Sequence, residues 1–465
     1  MYQQKFINRK EELTFLEDKY KSSSPELIVI YGRRRVGKTE LMLKFLKGKE
    51  GIYFLASTEG DRQNIKQFSV TTGKTIHDEN FGIIEYPDWQ SLFESLFKHK
   101  IFITKKEKFV IIIDEFPFLI QSNRATPSIF QKIWDTGMKN ENVMLILLGS
   151  AISVMETEVL GHGSPLYGRR TGQWQVQPLD IIHLKNFLPY SNEDLVKTWF
   201  VTGGIPEYIL KFDARISFWE NVHNNVLKKG SYLYRDAEFL LSEEFREPKN
   251  YMLIFKAIAL GNNTLGEICN FTGLDRGMVS KYLDVLTRLH ILEEDSPATA
   301  SAKFRKRFYF ISDSYFNFYY RYIYPNRIDL EANRTEEVLE LIKKDFSQYG
   351  GYMFENLIRE LTVKRFIFNH FPLSKIGRWW HKDREIDLVA INETTKQILF
   401  VECKWKNVSE REAGKIIAGL KEKAAFVPWN NDSRKELFGI AAKKIEGKKK
   451  LIKNGFAVID LDDIF

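Results

Sequence analysis

Glu26-Leu-Ile-Val-Ile-Tyr-Gly-Arg-Arg-Arg-Val-Gly-Lys-Thr39 decides the fold of the N-terminal part of this chain. Residues 26–31 are a short apolar run ending in a glycine turn, as a buried parallel strand does. The next eight have the spacing Gly32-x-x-x-x-Gly37-Lys38-Thr39, which is that of a phosphate-binding loop. Glycines let successive backbone N–H groups turn inward around an anion, and the following helix presents its positive N-terminal end to the same charge. A helical pattern at Thr39–Leu46 supplies that helix. The spacing therefore predicts an ATP site, with Lys38 neutralising the β- and γ-phosphates and the Thr39 hydroxyl ligating Mg2+. Each residue of the loop and the first turn is a candidate nucleotide contact: Gly32, Arg33, Arg34, Arg35, Val36, Gly37, Lys38, Thr39 and Glu40. The three arginines are expected to face solvent or a partner.

Outward from the loop, apolar runs recur at Gly51–Ala56, Phe109–Ile113 and Val143–Leu148, with helical segments between them. Alternating strands and helices predict an α/β fold with a parallel sheet covered on both faces. One run, Val110-Ile-Ile-Ile-Asp114-Glu115, ends in two acids. Buried charges need partners, so a strand of this kind implies a purpose. Asp114 suits the magnesium shell, and Glu115 suits positioning or deprotonating the attacking water. The run ending in Gly149-Ser150 places Ser150 where it can sense a γ-phosphate. Arg169 and Arg170, in Tyr167-Gly-Arg-Arg-Thr171, are candidates to stabilise transition-state charge, in their own chain or in a neighbouring copy. The second case implies a homo-oligomer. Surface salt bridges are the plain alternative.

Phe6-x-x-Arg9-x-x-Glu12-Leu13, the loop, Asp114-Glu115-Phe116, Gly149-Ser150, Leu166-Tyr-Gly-Arg-Arg-Thr171 and Gly203-Gly-Ile-Pro206-Glu together resemble the archaeal-type ATPases of the AAA+ and STAND-like P-loop group. The resemblance spans about residues 5–230. It implies that Arg9 sits near the adenine. It also implies that the Gly203–Pro206 turn packs near the nucleotide and links it to the next domain.

Residues 251–295 contain three short amphipathic helices and no strand run, and they suit a winged helix-turn-helix. Leu265–Asn270 is its first helix, Thr272–Asp275 the turn and Arg276–His290 the second helix. Val279, Leu283, Leu286 and Leu289 in the second helix have helical spacing. A strand at Phe304–Ile311 is the expected wing. Residues 251–300 hold four Lys+Arg and six Asp+Glu. Unless Lys303, Arg305, Lys306 and Arg307 dominate, that balance favours a lid over a reader of DNA.

A helix at about Gly351–Asn369 precedes two strands, Glu385–Ile391 and Gln397–Trp405. Glu402 and Lys404 lie two apart on one strand and so share a face. Asp387 is on the other strand and Glu355 on the helix. Three carboxylates and a lysine suit cleavage of phosphodiesters, with Glu355, Asp387 and Glu402 as metal ligands and Lys404 orienting the water. This set resembles the PD-(D/E)xK nuclease core, although Ile386 replaces the leading proline. Tyr309-Phe-Ile-Ser-Asp313 and Phe318-Tyr-Tyr-Arg321 further resemble the uncharacterised C-terminal domain that accompanies these ATPases. A surface hairpin, or a nuclease fold that has lost activity, is the alternative.

Length and charge bound these readings. A chain of 465 residues is too long for one core. Three segments are expected: 1–210 as the ATPase core, 211–312 as helical lid and winged helix-turn-helix, and 313–465 as nuclease-like domain. Only Cys269 and Cys403 occur, which argues against a disulfide framework or a zinc site. No apolar run is long enough for a membrane span and no secretion signal is visible, so a cytoplasmic location is expected. Residues 1–300 balance at 38 Lys+Arg and 38 Asp+Glu, whereas 301–465 hold 31 and 23 and carry the whole excess of +8. A nucleic-acid partner is therefore expected to meet the C-terminal third.

Overall fold

A computed structural model of the chain describes residues 6–104, 107–245, 247–300 and 307–465. Five strands form the first sheet: β1 (Glu26–Tyr31), β2 (Gly51–Leu55), β3 (Phe109–Asp114), β4 (Val143–Gly149) and β5 (Gly172–Gln175). Their order is β2-β3-β4-β1-β5, and every neighbouring pair is parallel. Every residue of β1, β3 and β4 is buried, because helices cover both faces of a parallel sheet. Each fully buried Ile or Leu there contributes about 1.5–3 kcal/mol relative to exposure.

The chain separates into two compact units. One holds residues 1–179 with Ile205–Glu207, and the other holds 180–204 with 208–465. The division thus differs from the three expected segments. The first boundary falls near residue 180, and the helical middle and the C-terminal sheet form one unit.

In that second unit the expected helices are present at Lys249–Ala259, Leu265–Thr272 and Arg276–Arg288. Thr264 and Asp275 cap the latter two, their side chains accepting from Glu267 N and Met278 N. A strand was not expected within 251–295, yet β6 (Leu292–Asp295) pairs antiparallel with β7 (Phe308–Ile311). Lys303, Arg305 and Lys306 lie outside the described residues, and Arg307 is ion-paired to Glu294.

The second sheet has the order β12-β11-β10-β9-β8, built from β8 (Lys375–His381), β9 (Arg384–Asn392), β10 (Gln397–Val408), β11 (Lys435–Ile445) and β12 (Ala457–Ile459). β8, β9 and β10 are antiparallel neighbours, and β10, β11 and β12 are parallel. The helix Glu410–Ala424 makes the crossover from β10 to β11 and packs Leu420 and Ile417 into the sheet core. The helix expected from Gly351 instead runs from Thr335 to Val363. Its Gly350–Gly351 pair is no break: a Cβ on Gly350 would lie 2.6 Å from the Trp405 ring, so glycine there lets β10 approach. The chain ends that helix by entering the left-handed region at Arg365, φ 59°.

Candidate functional site

β1, β3 and β4 run parallel, so their carboxyl ends meet on one edge of the first sheet, with Tyr31 paired to Gly149. The loop leaves β1 there. Gly32 has φ +149°, and a Cβ on it would lie 2.4 Å from the Val176 carbonyl oxygen, so only glycine fits. Gly37, φ +90°, starts the helix Lys38–Leu46 without a side-chain cap, leaving its N-terminal backbone donors to an anion. The buried Lys38 Nζ donates to the carbonyls of Gly32 at 2.8 Å and Arg33 at 2.9 Å, so its charge lies within the loop. Arg9 is also buried and clasps the loop: its Nη2 donates to Val36 O at 2.6 Å, and Nη1 to Gln177 O at 2.7 Å. Glu12 pairs with Arg9 at 2.9 Å. Arg9, expected near an adenine, thus holds the loop by its backbone. Val36 is buried, Arg33–Arg35 are half-buried, and Thr39 and Glu40 are exposed.

The strand-end acids are held in detail. Asp114 is only 2% exposed. Its Oδ2 accepts from Thr39 Oγ1 at 2.9 Å and from the Tyr53 hydroxyl at 2.5 Å, and its Oδ1 accepts from Glu115 N at 2.9 Å. Burial, then the hydrogen bond to Asp114, hold the Tyr53 phenol protonated far above its ordinary range. Glu115 adopts φ 54°, and its carboxylate accepts from Ser150 Oγ at 2.5 Å and Ser150 N at 3.3 Å. Thr39 is thus bonded to Asp114 and Ser150 to Glu115, while Lys38, next to Thr39, is bonded to the loop carbonyls. Tyr53 was missed. Its signal was faint: a polar-tipped residue inside an otherwise apolar strand.

The arginines are engaged elsewhere. Arg169 Nη2 is 3.0 Å from Asp135 Oδ2, and its Nη1 donates to Pro165 O at 3.3 Å. Arg170 donates to Leu160 O at 3.0 Å and stacks over the Tyr167 ring at 4.6 Å. Burial and Glu156 push the Tyr31 phenol up while Arg170 pulls it down, so Arg170 lies within electrostatic reach of the strand that feeds the loop. Pro206 opens a short helix, Pro206–Ile209, and Ile205–Glu207 group with the first unit.

In the second sheet Asp387 and Glu402 lie one step beyond the Leu388–Val401 pair of β9 and β10. Asp387 Oδ2 accepts from Cys403 N at 2.8 Å. Lys404 Nζ sits between the two acids, 2.8 Å from Glu402 Oε2 and 3.4 Å from Asp387 Oδ2. Lys423, on the crossover helix, takes the other Glu402 oxygen at 2.6 Å. Glu355 Oε2 is paired with Arg378 on β8 at 2.9 Å. Burial, only partly offset by Arg378, pushes Glu355 up to about 7; the Asp387 charge adds to the rise. Burial and the Glu402 charge push Asp387 up to about 6. Glu402 is drawn down by Lys404 and Lys423 against its burial. Lys404 is held charged by Asp387 and Glu402.

Among the described residues no group of three or more His, Cys, Asp or Glu side chains could hold a metal ion. The expected metal set of Glu355, Asp387 and Glu402 is therefore not gathered. Three cations of the chain itself, Arg378, Lys404 and Lys423, are the ionic partners of these acids. Lys423 and Arg378 were not foreseen, since their partners are distant in sequence.

Fold and site define a nucleotide-binding α/β ATPase of the P-loop class. Residues 6–212 match an ATPase domain predominantly from Archaea. Residues 319–416 match a family described as archaeal and bacterial proteins of unknown function. An uncharacterized protein of Methanocaldococcus jannaschii is 41% identical over 464 residues, covering 98% of this chain and 99% of that protein. The chain belongs to the family of that protein. An uncharacterized ATP-binding protein of the same organism is 60% identical over 45 residues, which are 10% of this chain and 76% of the relative. Among solved structures, the Aeropyrum pernix ORC2 protein in its ADPNP–ADP complexes has 14% identity and a TM-score of 0.46, over 73% of this chain and 94% of that one. Cdc6p from Pyrobaculum aerophilum has 13% identity and a TM-score of 0.33, over 73% and 96%. No helix among the described residues is long and apolar enough to cross a membrane.

Proposed function

We propose that the chain hydrolyses ATP and uses the cycle to switch a C-terminal domain that engages nucleic acid. The observation that carries the ATPase reading is the bonded set at the strand ends, Lys38 inside its loop, Thr39 on Asp114 and Ser150 on Glu115. These residues fit Mg2+ and a nucleoside triphosphate. The Thr39 hydroxyl donates to Asp114, which leaves its lone pairs free, and the helix start offers backbone donors. Thr39 and Asp114 would hold the ion, which supplies charge neutralisation for the β- and γ-phosphates. Lys38 and the loop N–H groups bind and orient the triphosphate. Glu115 orients the attacking water and accepts its proton, and Ser150 sets the direction of that carboxylate. Phosphate release from ATP and Mg2+ tests this reading. The parent should turn over, and a parent no faster than Lys38→Ala would overturn it.

For the C-terminal third, residues 301–465, the excess positive charge supports a nucleic-acid partner. Engagement without cleavage is favoured by the basic partner found on each acid, so no cleavage step is derived. A second reading, a PD-(D/E)xK-like nuclease, is favoured by one observation: Asp387 and Glu402 converge on a single cationic group, Lys404. Plasmid incubated with the protein and Mg2+ or Mn2+, with and without ATP, separates them. Cleavage that Asp387→Ala abolishes would establish the second reading and overturn the first.

A further inference from the structure

Tyr53 has no part in any of the motifs, yet it makes the shortest contact to the acid at the end of β3. Tyr53 pairs with Ile112 across β2 and β3, and Leu55 pairs with Asp114. Residues two apart on a strand share a face, so the phenol lies along the face that carries the Asp114 carboxylate. Its hydroxyl reaches Asp114 Oδ2 at 2.5 Å, beside the Thr39 hydroxyl at 2.9 Å on the same oxygen. Glu115 N holds the other oxygen. Asp114 is thus fixed by three donors, of which the nucleotide loop supplies only Thr39.

We propose that Tyr53 is a positioning residue for the metal of the nucleotide site, holding the Asp114 carboxylate in the orientation from which it and Thr39 receive Mg2+. The inference rests on the ATPase reading above. A buried carboxylate that lost this donor would keep two of its three hydrogen bonds but could rotate about its side chain. The ion would then have to order the ligand as well as bind it. Tyr53 lies on the strand next to the acid and not on the loop. The triphosphate's own contacts with Lys38 and the loop N–H groups should therefore be untouched by its loss.

Tyr53→Phe removes the hydroxyl and keeps the ring, so packing between β2 and β3 is retained. Binding of a fluorescent, slowly hydrolysed ATP analogue to the full chain is measured in EDTA and then across a Mg2+ titration. The expected result is an unchanged affinity in EDTA and a Mg2+ midpoint raised about tenfold, as for loss of one hydrogen bond to a charged acceptor. Manganese titrated in place of magnesium, followed by the spin-resonance signal of the free ion, should show the same displacement without any turnover. A midpoint equal to the parent's would overturn the proposal. So would an equal loss with and without Mg2+, which marks a merely structural role. If the parent itself binds no analogue, the ATPase reading falls and this inference with it. If the parent binds with a Mg2+ dependence that Tyr53→Phe leaves unmoved, only this inference falls.

Discussion

At the scale of single residues, the nucleotide site divides its work between groups whose removal should have separable effects. Lys38 is a buried ammonium that donates to two loop carbonyls, Gly32 O and Arg33 O, so its charge is directed into the loop. Lys38→Ala should weaken ATP binding about 100-fold, the loss of about 3 kcal/mol of charge-assisted contact. Equilibrium binding of a labelled nucleotide measures this, and unaltered affinity would remove Lys38 from the site. The Glu115 carboxylate is bonded to Ser150 at the end of β4, so it belongs to the chemistry more than to binding. Glu115→Gln should bind ATP as the parent does and hydrolyse it roughly 10²–10⁴-fold more slowly. The two arginines can also be ranked. Arg169 must break its ion pair with Asp135 to reach a phosphate, whereas Arg170 must give up a bond to a neutral carbonyl, Leu160 O, and its stack on Tyr167. Arg170→Ala should therefore slow turnover more than Arg169→Ala, up to roughly 10³-fold if it acts as a finger. The reverse order in a phosphate-release assay would transfer the role to Arg169.

At the scale of elements, what the sequence made legible followed from burial. β1, β3 and β4 are buried along their whole length and appeared as unbroken apolar runs. β5 is four residues long with none fully buried, and it pairs with β1 alone, so no run marked it. β8 was obscured by a register shift between Gly377 and Trp379. β11 opens with Lys435-Glu436 and carries Lys443-Lys444 just before its last residue, Ile445, although the succession of β10, the helix Glu410–Ala424 and β11 is a parallel crossover that could have been sought. The same limit applied to the second site. Glu355, Asp387, Glu402 and Lys404 could be named from their spacing, but Arg378 and Lys423 enter from elements whose pairing spacing does not show. Burial of the first two acids, which these cations do not fully offset, has a measurable consequence. Glu355 and Asp387 have folded-state values near 7 and 6, above those of free carboxyls, so between the two ranges the folded state holds protons that the unfolded chain has released. Stability from these groups is fully present below about pH 4 and falls as pH rises to about 7, with no further change above. Glu355→Gln should flatten that decline. Thermal unfolding of parent and variant between pH 5 and 8 measures it, and parallel curves would show that Glu355 does not titrate in this range.

At the scale of the whole molecule, one chain carries a charge-balanced stretch, residues 1–300, that holds the nucleotide site, and a final third that carries the entire +8. A nucleotide switch that acts on a nucleic-acid-binding unit is a statement about coupling free energy, and coupling is reciprocal. If ATP changes the affinity for a duplex by some factor, the duplex must change the affinity for ATP by the same factor. Glu115→Gln makes the comparison clean, because it should hold ATP and Mg2+ without consuming them. Its affinity for a labelled duplex, read by fluorescence anisotropy, should differ with and without ATP by about 5–150-fold, the usual span of coupled sites. Its affinity for labelled ATP should shift by an equal factor when unlabelled duplex is saturating. Binding should also weaken steeply with salt, since lysines that meet phosphates release counterions. Each phosphate contact contributes close to one unit to the logarithmic slope. Lys38→Ala serves as the control: it should bind duplex with the parent's salt slope yet show no response to ATP. A duplex affinity indifferent to nucleotide in the Glu115→Gln protein would mean that the two activities merely share a chain. In that case the ATPase drives something other than the nucleic-acid contact, and a partner protein becomes the better candidate for the C-terminal unit.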